Sequence, residues 1–212
     1  MSMEMKKALL ASVLAVGAFS FAGSAQADCT TDTDSQWECL QVGGTDVTGS
    51  GEQGPFTFAG TSTLSYGGFI NATCGLELTG YVDVDTANNR TYIRVTNGDI
   101  TGSGTCANLN LSGFDWNAYD PDDGNAGIDG ASSDDIYPAA SGNAALGDIG
   151  NISVSHSFFG TLCSGTLDDV TFQNNEPSGS LSDPSFFVFS GSIGACTVNG
   201  QLDSTGTDVN AW

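Results

Sequence analysis

Positive charge is almost missing from this chain. Its 212 residues hold four Lys and Arg against 25 Asp and Glu, and one histidine, His156. Lys6 and Lys7 lie in a segment that reads as removable. From Asp28 to Trp212 only Arg90 and Arg94 then stand against 24 acids, a net charge of −22. Such a surface repels phosphate backbones, which excludes nucleic acid as a partner held by charge neutralisation. It excludes a polybasic contact with anionic lipid in the same way. One histidine is too few for a His-rich metal centre or a His-pair motif, and no C-x-x-C pair suggests zinc. Helical periodicity is almost absent beyond residue 27, and no apolar run there is long enough to span a bilayer as a helix.

Residues 1–27 read as a secretory signal peptide. Lys6 and Lys7 form a charged start, Ala8 to Phe21 an apolar stretch, and Ala25-Gln26-Ala27 a small-x-small cleavage site. The apolar stretch falls short of the roughly 20 residues a membrane anchor needs. A lipid anchor at Cys29 fails because Asp28 precedes it. The expectation is a protein exported across the inner membrane, secreted or retained in the periplasm, with no transmembrane anchor.

All six cysteines, Cys29, Cys39, Cys74, Cys106, Cys163 and Cys196, follow that segment. An even count in an exported chain reads as disulfides, although six cysteines allow 15 pairings. Spacing suggests one of them. Cys74 to Cys106 is 32 residues and Cys163 to Cys196 is 33, which leaves Cys29 with Cys39. Loop-closure entropy puts the longer bridges at about 3–4 kcal/mol each.

Short β-branched and aromatic runs between Gly, Ser, Thr, Asn and Asp predict many strands joined by turns. From Cys74 to Asp85, Cys74, Leu76, Leu78, Val82 and Val84 fall on one face and Glu77, Thr79, Tyr81 and Asp83 on the other. That alternation means a half-buried antiparallel strand. In Thr91 to Val95, Ile93 and Val95 share a face opposite Arg90, Tyr92 and Arg94, so both arginines should meet solvent or an acidic neighbour. Ser185 to Ser190 (SFFVFS) is apolar on both faces and predicts a fully buried central strand.

A faint repeat with an offset of 89 to 90 relates the sequence around Cys74 and Cys106 to that around Cys163 and Cys196. Chance in a Gly/Ser/Thr-rich chain is the competing explanation. Cys196 is in phase with Val198 and Leu202, but Cys106 is out of phase with Leu109 and Leu111. Either a bulge lies there or the pairing is wrong. The predicted fold is all-β: an antiparallel β-sandwich or partly closed barrel of short strands, in two related, disulfide-stapled halves. Residues 28–212 would form a single exported domain. Its halves would run roughly 54–116 and 150–202, separated by an acidic insertion at 117–148.

That insertion holds Asp120, Asp122, Asp123, Asp129, Asp134, Asp135 and Asp148. Clustered carboxylates over 115–135 suit calcium, but Gly124 does not fall where an EF-hand needs it. A solvated acidic loop is the preferred reading, with no cofactor or metal assigned. No catalytic or cofactor-binding residue is assigned either. His156 sits in phase with Ile152, Val154 and Phe158, as a core-edge strand histidine would. Glu38, Glu52, Glu77 and Glu176 have no motif around them, and no phosphate loop is present. Trp212 at the end lacks the apolar alternation of an outer-membrane strand. Many aromatics sit as neighbours, as in Phe158-Phe159 and Phe186-Phe187; most should be core, and some are expected at the surface beside Gly, Ser and Thr.

Gly60-Thr-Ser-Thr-Leu-Ser-Tyr-Gly67, Cys74-Gly-Leu-Glu-Leu-Thr-Gly80, Gly102-Ser-Gly-Thr-Cys106 and Gly113-Phe-Asp-Trp116 resemble the secreted protein activator of alkane oxidation (PraB-like) family of Gram-negative bacteria. The likeness covers 54–116 and, more loosely, 191–202, and it carries over no catalytic or binding residue. It implies an exported, non-catalytic, surface-active or substrate-contact protein supporting alkane utilisation. Its partners would be hydrophobic substrate or cell-surface components. A subunit of an extracellular filament or biofilm matrix is the alternative, with the protein itself as the partner in a polymer. In that case residues 28–55 or 203–212 would be the donated strand. A carbohydrate-binding module with Trp116 and Tyr119 as a stacking platform is weaker, since Trp116 reads better as core.

A chain of this charge repels itself, and added salt shortens the repulsion from a Debye length of about 30 Å at 0.01 M to about 8 Å at 0.15 M. The melting temperature should therefore rise with NaCl, most steeply at low salt. Melts in CaCl2 and MgCl2 at matched ionic strength should coincide for a solvated loop. A calcium-specific rise would instead identify a site at 115–135.

Overall fold

Period-two alternation needs a partner surface for its apolar face, and this chain supplies one by wrapping a sheet onto itself. A computed structural model describes residues 40–47, 49, 51–85, 90–118, 137–138, 144–174 and 184–211. The expected signal segment, the Cys29–Cys39 pair, Trp37, Tyr119, Glu38, Glu176, Trp212 and most of the acidic insertion lie outside these residues.

The strands are β1 (Leu40–Val42), β2 (Thr45–Asp46), β3 (Gly51–Tyr66), β4 (Ile70–Asp85), β5 (Arg90–Thr101), β6 (Leu109–Ser112) and β7 (Trp116–Ala118). After these come β8 (Tyr137–Pro138), β9 (Ala144–His156), β10 (Gly160–Gln173), β11 (Phe186–Ile193), β12 (Cys196–Thr205) and β13 (Val209–Ala211). The main sheet runs β6-β9-β10-β11-β12-β3-β4-β5-β7, so neighbours follow chain order and every pairing is antiparallel. β12 returns to β3 over ten residue pairs, from Cys196↔Tyr66 to Thr205↔Thr57. β6 pairs with β9 and β7 with β5, so residues 109–118 supply one stave that changes partner midway. The result is an eight-stave, up-and-down barrel that is almost closed, which settles the choice between sandwich and barrel.

Inward positions of β4 follow the expected phase: Ile70, Ala72, Cys74 and Val82 are buried, with Leu76 and Leu78 packed against the core. The outer wall is polar. Cross-strand threonines join hydroxyls there, Thr57 to Thr79 at 3.2 Å and Thr63 to Thr73 at 3.0 Å. Apolar inside and polar outside is the reverse of a membrane barrel. Bulges at Gln53/Phe56, Thr79/Gly80 and three places along β9–β10 add the bend that closure requires. The strands also approach closely, since a Cβ on Gly60 would run into the Gln201 carbonyl and one on Gly80 into that of Arg94.

Disulfides join Cys74 to Cys106 and Cys163 to Cys196. Cys106 opens a 3-10 turn, Cys106–Asn108, which breaks the phase between it and Leu109. A turn, not a bulge, therefore accounts for the mismatch, and the pairing holds. Cys163 of β10 meets Cys196 at the start of β12, where the β11–β12 hairpin turns, with 5.6 Å between Cα atoms. The β10–β11 ladder has only three residue pairs, Thr171↔Val188 to Gln173↔Phe186, all at the other end of β10. The covalent link stands where the ladder has lapsed.

The strand at 186–193 corrects the sequence reading. Phe189 and Ile193 are buried, but Val188 is 37% exposed and Ser190 and Ser192 face water. A stave has a single inner face, so two-sided apolarity here does not mean two-sided burial. Opposite the hairpin turns at 67–69 and 157–159, β13, β1 and β2 form a small sheet. There Val209 pairs with Val42 and packs with Phe56, Val82 and Phe172. The described strands within the segments considered for donation pair inside the chain: β12 extends to Thr205, and β13 pairs with β1.

Leu202, 1% exposed where β12 meets β3, should report directly on this core. Leu202→Ala should cost about 2–5 kcal/mol in urea unfolding. Val188→Ala on the outer wall should cost no more than about 1 kcal/mol.

Candidate functional site

Two hairpins end side by side at the disulfide-bearing end of the barrel. β3 turns into β4 through Gly67 and Gly68, both left-handed at φ 58° and 75°, and Phe69 N–H donates to the Tyr66 carbonyl. Two positive φ angles suit the right-handed strand twist of a tight hairpin. β9 turns into β10 through Ser157, Phe158 and Phe159. Phe159 N–H donates to the His156 carbonyl at 3.1 Å, and left-handed Gly160 follows. That order, a turn and then a left-handed glycine, is a common three-residue hairpin loop.

Both loops push rings outward. Phe69 is 66% exposed, Phe158 80% and Phe159 62%. They form one cluster: Phe69 meets Phe159 edge-on at 6.0 Å, Tyr66 packs on Phe69 at 5.4 Å, and His156 lies 4.8 Å from Phe159. The cluster is anchored from below. Ser157 N–H donates to the Asn108 carbonyl at 2.9 Å and its hydroxyl to Asn108 Oδ1 at 3.0 Å, two residues from the Cys74–Cys106 bridge.

Charge is distributed the other way. The turns at this end, 67–69, 102–105, 157–159 and 194–195, contain no Asp, Glu, Lys or Arg. At the opposite end Arg94 pairs with Glu52 and lies 3.6 Å from Asp115, with its guanidinium 5.7 Å above the Tyr81 ring. These groups are a third or more exposed, so each pair contributes about 0–1 kcal/mol. β7 ends and β9 begins at that same end, so the acidic insertion leaves and re-enters the barrel away from the aromatic tip.

His156, Asp208, Trp116 and Glu52 each have partners within the fold. His156 is buried, and its Nδ1 accepts the Phe158 N–H at 3.1 Å, which holds the turn. Asp208, 1% exposed, accepts at Oδ1 from Ser185 N–H, the Ser185 hydroxyl and the Ser204 hydroxyl, and at Oδ2 from Asn210 Nδ2. It clamps β11, β12 and β13 together. Trp116 is buried, donates Nε1–H to the Ser112 carbonyl at 2.9 Å and stacks on Phe114, so it is core and not a sugar platform. Glu52 belongs to the Arg94 pair, and Glu77 lies on the exposed wall. Among the described residues no three His, Cys, Asp or Glu groups stand together as a metal site.

The sequence predicts that most aromatics are core and some displayed, without telling the exposed Phe69, Phe158 and Phe159 from the rest. The repeat offset held the signal, because Phe69 and Phe159 are separated by the same 90 residues as Cys106 and Cys196.

Among the described residues, polar staves enclose an apolar interior and three exposed rings stand at an uncharged end of an almost closed barrel. The family model for alkane oxidation protein activators, PraA/PraB-like, matches residues 46–209, from β2 to β13. The chain belongs to that family. The family is described as an activator and not as an oxidising enzyme. No curated protein and no solved structure matches the chain.

Because the three rings give most of their surface to water, replacing them should leave the barrel intact. The triple variant Phe69→Ser, Phe158→Ser, Phe159→Ser should unfold in urea within about 1 kcal/mol of the parent.

Proposed function

We propose that this protein is exported and supports alkane utilisation without catalysis, as a surface-active protein that seats its aromatic tip on hydrocarbon. The observation that carries this reading is the axial asymmetry: three exposed phenylalanines at an uncharged end of a strongly acidic chain. Ring surface on the order of 300–400 Å² is available, and its full transfer out of water sets an upper bound of about 7–10 kcal/mol. That is ample for reversible adsorption. The acidic remainder stays hydrated and keeps coated droplets apart by repulsion. The bridged cysteines support an oxidising compartment. In this reading the two halves, 54–116 and 150–202, are related units that each contribute one hairpin to the tip.

Pendant-drop tension at a hexadecane–water interface tests the assignment. The parent protein should lower tension and stabilise an emulsion, and the triple tip variant should do neither at equal concentration. Cells carrying the variant should grow on hexadecane no better than cells lacking the gene. Equal tension curves for parent and variant would remove the tip as the contact surface.

A further inference from the structure

The barrel is not filled to its axis. A void of about 130 Å³ runs inside it, lined from Phe56 and Val209 at the small-sheet end, past Leu78 and Ile149, to Leu64 and Ile193 toward the disulfide end. Phe56 and Leu64 lie eight residues apart on one strand, about 26 Å of chain and about 20 Å along the axis at ordinary barrel tilt. The space is therefore long and thin. Its lining is almost wholly apolar, and no charged residue lines it.

From this geometry we propose that the interior is a second binding site, which takes a neutral, unbranched hydrocarbon chain. The proposal rests on the reading above only for why such a ligand is at hand. A dry apolar cavity of about 150 Å³ lined by Leu, Ile and Phe holds one benzene, so this void takes a guest of about six carbons. Its length favours an extended chain over a ring of equal carbon count. The lining also rejects a carboxylate, because a charge taken into such a space without a partner is strongly disfavoured. An alkane, or a six-carbon stretch of one, meets both conditions, whereas a fatty acid and a cycloalkane each fail one.

The full chain, labelled at Ile, Leu and Val methyl groups, tests this by NMR in buffer equilibrated with n-hexane. Intermolecular NOEs from hexane should reach the Leu78, Ile149 and Leu64 methyls and not the outer-wall Val188 methyls. Cyclohexane and hexanoate at the same concentration should give less than a tenth of that intensity. Absent NOEs with hexane, or equal NOEs with cyclohexane or hexanoate, would overturn the assignment. Leu78→Phe should abolish the hexane signal. If that variant does not fold, the parent's ligand comparison decides alone. The triple tip variant should keep full hexane NOEs while losing interfacial activity. Interfacial activity with no guest inside would overturn this site and leave the tip reading standing.

Discussion

Everything in this molecule depends on closing one sheet around its own apolar face. An open sheet with this alternation would leave Leu64, Leu76, Val154 and Leu202 against water, and among the described residues no α-helix covers them. Closure by hydrogen bonds alone is incomplete. β10 and β11 share only three pairs, and β5 ends at Thr101 while β4 continues toward Ile70. At both gaps a disulfide reaches past the missing ladder, from Cys163 to Cys196 and from Cys74 to Cys106. Each restricts the unfolded chain and fixes two staves at the end where hydrogen bonding is weakest.

The same closure separates the chain's two surface chemistries. In an up-and-down barrel, alternate turns gather at alternate ends. Here the turns without charge gather with Phe69, Phe158 and Phe159, while the acidic insertion begins and ends at the other side. Arg94, which pairs with Glu52 and Asp115, lies at that other side. The disulfides that secure the top staves also stiffen the platform on which the aromatic loops stand.

Membership of the alkane oxidation activator family fits a frame with this distribution of roles. Asp208, the most buried carboxylate among the described residues, spends its acceptors on four donors, and His156 spends a ring nitrogen on a turn. The polar groups of the interior are used to hold strands in place. The described exterior carries rings at one end and hydroxyls along the wall.

By itself the sequence determined what is local. Alternation in 74–85 identified a strand and its inner face because side-chain direction along a strand is a period-two property of neighbours. The cysteine spacing suggested the two bridges because the repeat places equivalent residues a near-constant distance apart. Only the tertiary structure decided what depends on distant partners. SFFVFS reads as buried on both faces until β11 takes its place as a stave, where curvature leaves Val188 outside. Phe69 carries no local mark of display, since Gly67-Gly68-Phe69 is an ordinary turn signal. It becomes half of an aromatic tip only because up-and-down closure carries the β3–β4 and β9–β10 hairpins, 90 residues apart, to the same end of the barrel.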